Sequence, residues 1–178
     1  MTGSRSRTRT RSLALAAVAV LGASVLSTGT AHAEPLTLLQ CQGTETVTYD
    51  PGVTFQQRDI EMTITAQFSS CIDGAGEVTS GSYGNQVTVF VGCNELLGGF
   101  EGKRTVTWST GDTSVIEESG SSTAVAGQVV TTTIGKVVQG RFQGRSTLHV
   151  STLPQPGLLQ CLTTGFTSAT GVTTLTIT

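Results

Sequence analysis

Covalent hydrolysis needs a nucleophile, a base within hydrogen-bond reach of it, and a group that orients the base. Beyond residue 33 the chain offers one histidine, His149, as a base. No Gly-x-Ser-x-Gly elbow presents a serine to it. His149 sits between Leu148 and Val150 in an alternating run, which predicts that its ring faces the polar side of a strand. Paired carboxylates are the second route to catalysis. Asp59 and Glu61 project from one strand face, whereas the neighbours Glu117 and Glu118 point to opposite faces. Glycoside cleavage needs two carboxyls about 5 to 10 Å apart across a sugar. The nine aromatics of the chain do not obviously furnish a cleft around either pair. Asp73-Gly74-Ala75-Gly76-Glu77 carries oxygen ligands but lacks the ligand density of a calcium loop, and reads as an acidic turn. No catalytic residue, metal ligand or cofactor site is therefore expected.

The remaining reactive side chains are Cys41, Cys71, Cys93 and Cys161, spaced by 30, 22 and 68 residues with no Cys-x-x-Cys pair. An even set without zinc-ligand spacing predicts two disulfides. Counting strands up and down places all four sulfurs near one end of the domain. That favours Cys71 with Cys93 and Cys41 with Cys161, the latter tying the first strand to the last. Cys41 with Cys71 and Cys93 with Cys161 is almost as plausible.

Disulfides require export, and residues 1–33 read as the export signal. Arg5, Arg7, Arg9 and Arg11 precede an apolar stretch from Leu13 to Leu26, and Ala31-His32-Ala33 supplies the small residues for cleavage before Glu34. The stretch is short for a membrane span, which takes about 20 apolar residues. Removing it changes the charge. Of the ten basic residues four are these arginines, so the remaining 145 residues carry six against twelve acidic ones, a net charge of −6. Without a basic cluster, nucleic acid and anionic membranes are poor partners.

The elements that must position these groups are strands. The 145 residues include 27 threonines, and β-branched side chains suit a pleated, half-buried surface. Ile60, Met62, Ile64, Ala66 and Phe68 alternate with polar residues, and Glu45, Val47 and Tyr49 lie opposite Thr44, Thr46 and Thr48. Asp50-Pro51-Gly52 separates the two runs, predicting an antiparallel hairpin. Similar runs recur around Val89, Val106, Val115, Val129 to Val138, Leu148 and Leu175, with turn signals at Thr110-Gly111-Asp112 and Gly140 to Gly144. No helical period emerges. The tetrapeptide Leu38-Leu39-Gln40-Cys41 returns as Leu158-Leu159-Gln160-Cys161, too short a match to claim duplication. The expected fold is one all-β domain over residues 34–178, an antiparallel β-sandwich or flattened β-barrel of about eight to ten strands.

Cys41-Gln42-Gly43-Thr44, Tyr49-Asp50-Pro51-Gly52, the run Thr107 to Ser114, Gly140-Arg141-Phe142-Gln143-Gly144, and Cys161 ahead of a terminal Thr-Leu-Thr-Ile-Thr together resemble small secreted actinobacterial β-proteins of unknown function. The resemblance implies an extracellular disulfide-bonded β-domain and supplies no activity. The functional expectation is a secreted non-enzymatic module that binds a protein, cell-wall or small-molecule partner. A carrier with a hollow barrel and an unrecognised hydrolase are the alternatives. Protease inhibition is one form of partner binding, and Leu153 to Leu159 is its candidate loop.

Overall fold

The computed structural model describes residues 38–178. The expected signal segment and its cleavage residues Ala31, Ala33 and Glu34 lie outside the described residues. Eight strands, β1 (Leu39–Val53), β2 (Arg58–Asp73), β3 (Gly81–Val91), β4 (Gly99–Trp108), β5 (Thr113–Val125), β6 (Gln128–Gly140), β7 (Ser146–Pro154) and β8 (Phe166–Ile177), close in sequence order into an antiparallel barrel. One short helix, α1 (Leu158–Leu162), interrupts the path from β7 to β8. The all-β expectation holds, and the barrel rather than the sandwich is what forms. Among the described residues no helix is long and apolar enough to cross a membrane.

Each strand forms where the alternation is strongest. Ile60, Ala66 and Phe68 of β2 turn into the barrel while Asp59 and Glu61 stay in water. The expected antiparallel hairpin of β1 and β2 forms, pairing Glu45 with Ala66 and Val47 with Ile64. Beyond Trp108, Gly111 adopts φ +86°, a left-handed conformation that costs glycine little, and the chain turns into β5. The closing pair is β1 with β8, in register from Leu39 opposite Ile177 to Thr48 opposite Ser168.

Two apolar layers fill the lumen. One, at the Trp108 end, gathers Leu39, Phe68, Val106, Trp108, Ile116 and Ile177. The other, towards the Cys161 end, gathers Val47, Val53, Ile60, Val91, Leu153 and Phe166. A polar layer lies between them.

The disulfides are Cys41–Cys71 and Cys93–Cys161, which corrects the favoured pairing of Cys71 with Cys93 and Cys41 with Cys161. The error lies in strand direction. Cys93 follows β3, an odd-numbered strand, and Cys161 precedes one strand rather than two. The sulfurs therefore divide between the two ends, Cys41–Cys71 joining the facing strands β1 and β2 and Cys93–Cys161 fastening α1 to the β3–β4 loop. Two such bonds suit an oxidising extracellular setting.

Candidate functional site

His149 does not face the solvent. It is 3% exposed and points into the lumen from β7 together with Thr147 and Ser151, while Leu148 points outward. The alternation is as the sequence suggests, but its sense is inverted. From Thr147 to Ser151 the interior face of this strand is polar and the exterior apolar, with the outward Leu148 opposite Ile134 on β6, itself exposed.

The ring belongs to a buried cluster drawn from six strands. Arg104 of β4 reaches into the lumen, with its Nη1 3.3 Å from His149 Nδ1. Its Nε and Nη2 each lie 2.5 Å from Glu118 Oε1 on β5. The guanidinium stacks 4.4 Å from the centroid of Tyr83 on β3, a favourable cation–π arrangement. The Tyr83 hydroxyl donates to Glu45 Oε2 on β1. His149 Nε2 lies 2.7 Å from Thr173 Oγ1 and 3.5 Å from Glu45 Oε2. Arginine only donates, so His149 Nδ1 accepts and the proton sits on Nε2, aimed at Thr173 and Glu45.

Burial dominates the titration of this layer. It pushes His149 down to about 3, and the Arg104 charge adds to the effect, so the imidazole is neutral at physiological pH. Burial drives Tyr83 far above an ordinary phenol, against the pull of Arg104. It also raises Glu118, although Arg104 opposes it. The chemistry of the layer is largely self-contained: His149 has partners at both nitrogens, Glu118 is gripped by Arg104, and Glu45 accepts from Tyr83. The exception is Thr133 on β6, whose Oγ1 is buried without a partner beside His149 in the register.

Glu118 separates from Glu117 as the sequence predicts: Glu117 pairs with Lys103 at 2.9 Å on the exposed outer face. Asp59 and Glu61 share a wet strand face. The Asp73 carboxylate is engaged by its own loop, accepting from the backbone N–H groups of Ala75, Glu77 and Val78 at 3.0 to 3.2 Å. Burial alone would raise it, but these bonds and Arg141 hold it below the usual carboxylate range. Among the described residues no group of three or more His, Cys, Asp or Glu side chains could hold a metal ion.

Two surface features lie outside what sequence reasoning found. The first is a groove of about 470 Å³ at the Cys161 end, lined among others by Phe55, Leu96, Leu97, Val129, Pro156 and Leu158. Leu158, Leu159 and Leu162 of α1 stand exposed there, Leu159 by 75%. The candidate inhibitor loop is thereby shortened, since Leu153 belongs to β7 and Leu158 and Leu159 to the helix. The second is the junction of β3 and β4, which pair only through Gly81 with Trp108 and Ser82 with Thr107. Among the aromatics, Phe90 is exposed, but Tyr83 is buried and Phe142 packs edge-on against Trp108 at 5.8 Å.

No protein-family model, no curated protein and no solved structure matches this chain.

Proposed function

We propose that this protein is a secreted, non-enzymatic binding module that engages its partner through the Cys161 end of the barrel. The observation that carries the reading is the leucine-bearing helix α1, held open to solvent beside an apolar groove by the Cys93–Cys161 bond. Exposing three large leucines on one five-residue helix has a solvation cost that folding alone gives no reason to retain, and contiguous apolar patches mark contact surfaces. The disulfide pre-organises that surface, which lowers the ordering cost of association. The arginine-bearing leader sequence and the two disulfides support export. The engaged state of Glu45, Arg104, Glu118 and His149 in the lumen favours binding over turnover.

The size of the groove supports a second reading. About 470 Å³ lies within the range of small-molecule sites, so a carrier would hold its cargo in the mouth rather than in the barrel centre, which side chains fill.

The test uses the barrel as immobilised bait against culture fluid and wall fractions of the producing cells, wild type beside a Leu158→Asp/Leu159→Asp variant. A partner retained by the wild type and lost by the variant is the expected result. Equal retention by both would overturn the mouth as the binding face, and native mass spectrometry showing a co-purifying small molecule would select the carrier. Turnover of ester, glycoside or peptide substrates abolished by Glu45→Gln would overturn the non-enzymatic reading.

A further inference from the structure

The barrel wall is incomplete. Every other neighbouring pair of strands is matched over nine or more residue pairs or, for β7 with β8, six. The β3–β4 ladder stops after two, Gly81 with Trp108 and Ser82 with Thr107. Beyond that point the in-and-out alternation of burial disappears: residues 84–88 of β3 and 99–103 of β4 are exposed on both faces. A Cβ added at Gly84 or Gly102 would meet nothing within 4 Å, so the strand faces at these positions are uncovered.

The orientation of the backbone in this gap follows from one bond. Ser109 N–H donates to Ser80 O at 2.9 Å, so even-numbered residues of β3 turn their N–H and C=O groups towards β4 and odd-numbered ones towards β2. The β2–β3 register runs without a shift from Arg58 opposite Val91 to Phe68 opposite Gly81, so that alternation persists along β3. Gly84, Thr88 and Phe90 therefore present donors and acceptors at the strand repeat with no β4 residue paired to them, and Gln86 adds its acceptor while its N–H donates to Asn85 Oδ1 at 3.0 Å. Such an edge is a template for an added strand.

We propose that the β3 edge is a second binding site, distinct from the mouth, which takes an extended peptide segment by strand addition. Main-chain groups spaced along residues 84–90 fit a partner of about seven extended residues. The surroundings specify its side chains. On the lumen side the peptide meets Val87 and Val89, backed by Met62 opposite Val87, all incompletely buried; Val87 is 38% exposed. Alternate peptide residues on that side are apolar. On the outer side Glu61 stands opposite Thr88 and Asp59 opposite Phe90, and Glu101 lies on the facing strand, while Lys103 is already paired with Glu117. Outward peptide residues are lysine or arginine. The occupant is thus an extended segment alternating apolar and basic residues.

The probe is a capped peptide of about seven residues alternating lysine and valine, added to the folded, disulfide-bonded domain. Binding is read by titration and by backbone amide exchange. In the free protein the amides of Gly84 and Thr88 should exchange rapidly and those of Asn85 and Val87 slowly. The peptide should slow the first group at least tenfold. Val87→Lys, which places a like charge at the edge, should weaken binding at least tenfold, as should replacing the peptide lysines by glutamate. A peptide N-methylated at alternate amides should not bind. Thr88→Lys, at an exposed outward position, provides the same electrostatic test if Val87→Lys does not fold. Leu158→Asp/Leu159→Asp should leave peptide affinity unchanged, which separates this site from the mouth. The proposal is overturned by no saturable binding up to about 1 mM, by equal binding of the N-methylated peptide, or by binding without protection of those amides. It is overturned equally if the edge amides of the free protein are already protected in a concentration-dependent dimer, which would assign the edge to a second copy.

Discussion

The two ends of the barrel solve the same problem, how to close a tube of strands, by different means. At the Trp108 end the closure is side-chain chemistry. Trp108 donates from Nε1 to Ser114 Oγ at 2.8 Å, Phe142 stands edge-on against its ring, and Arg141 lies 3.0 Å from Asp112 and also pairs with Glu77. Val78 is fully enclosed beneath them. At the Cys161 end closure rests on a disulfide and a five-residue helix, and large apolar side chains remain in water. Enclosure by packed, hydrogen-bonded groups stabilises the fold directly. Closure by a covalent tie leaves the local surface available for something else.

Substitutions at the two ends should break this comparison most visibly. Trp108→Ala removes a buried indole and its hydrogen bond, and is expected to cost about 3 to 5 kcal/mol in chemical denaturation. Leu159→Ala should shift stability by less than about 0.5 kcal/mol. Similar losses at both sites would show that the Cys161 end is packed as the other is.

The polar layer between the ends sets the acid response. His149 titrates near 3 in the fold and at 6.5 when unperturbed, so between those values the unfolded chain binds the additional proton. Its contribution to stability is complete above 6.5 and declines as pH falls towards 3, by up to about 1.4 kcal/mol per pH unit. Glu118, raised by burial, works in the opposite sense above its unperturbed value of 4.5, because there the folded state holds the extra proton. Urea midpoints measured from pH 7.5 to pH 4 should fall for the wild type and flatten for His149→Gln. An unchanged slope in that variant would remove His149 as the source.

A smaller effect sharpens the picture of the layer. Thr133 Oγ1 has no partner, so Thr133→Val should be neutral or stabilising by up to about 1 kcal/mol. A loss greater than that would mean that the hydroxyl is bonded in solution.

How much of this was legible in the chain depends on whether a feature is local. The hairpin of β1 and β2 and the turn at Gly111 follow from alternation and turn residues that are contiguous in sequence. The inward face of β7 does not, because Leu148 and Val150 mark the apolar side of the strand without saying which side meets the lumen. That choice is made by Arg104, Glu45 and Thr173, which lie on three other strands. The pairing of the cysteines depended on strand parity, and one miscounted strand moved Cys93 to the opposite end. The repeated tetrapeptide states the limit most directly. Leu38-Leu39-Gln40-Cys41 enters β1 with Leu39 fully buried, whereas Leu158-Leu159-Gln160-Cys161 is helical with both leucines in water. Four identical residues take opposite structures because one set has strands β2 and β8 to pair with and the other has none. The β3 edge was illegible for a related reason: Val87, Val89 and Val91 show a strand, but nothing in them reveals that β4 diverges.

The position of that divergence also bears on the order of assembly. An open sheet rolled into a tube ordinarily has its slit where the chain begins and ends, yet here the first and last strands are zipped from Leu39 and Ile177 onwards and the slit falls between two consecutive strands. Read in space, the sheet runs from β4 through β8 and β1 to β3. The joint at its centre unites residues separated by nearly the whole folded chain, so its loop-closure entropy must be met before the sheet can exist. Folding should therefore wait on the meeting of β1 and β8, and a chain permuted to begin in the β3–β4 loop would turn that slow, long-range encounter into a local hairpin.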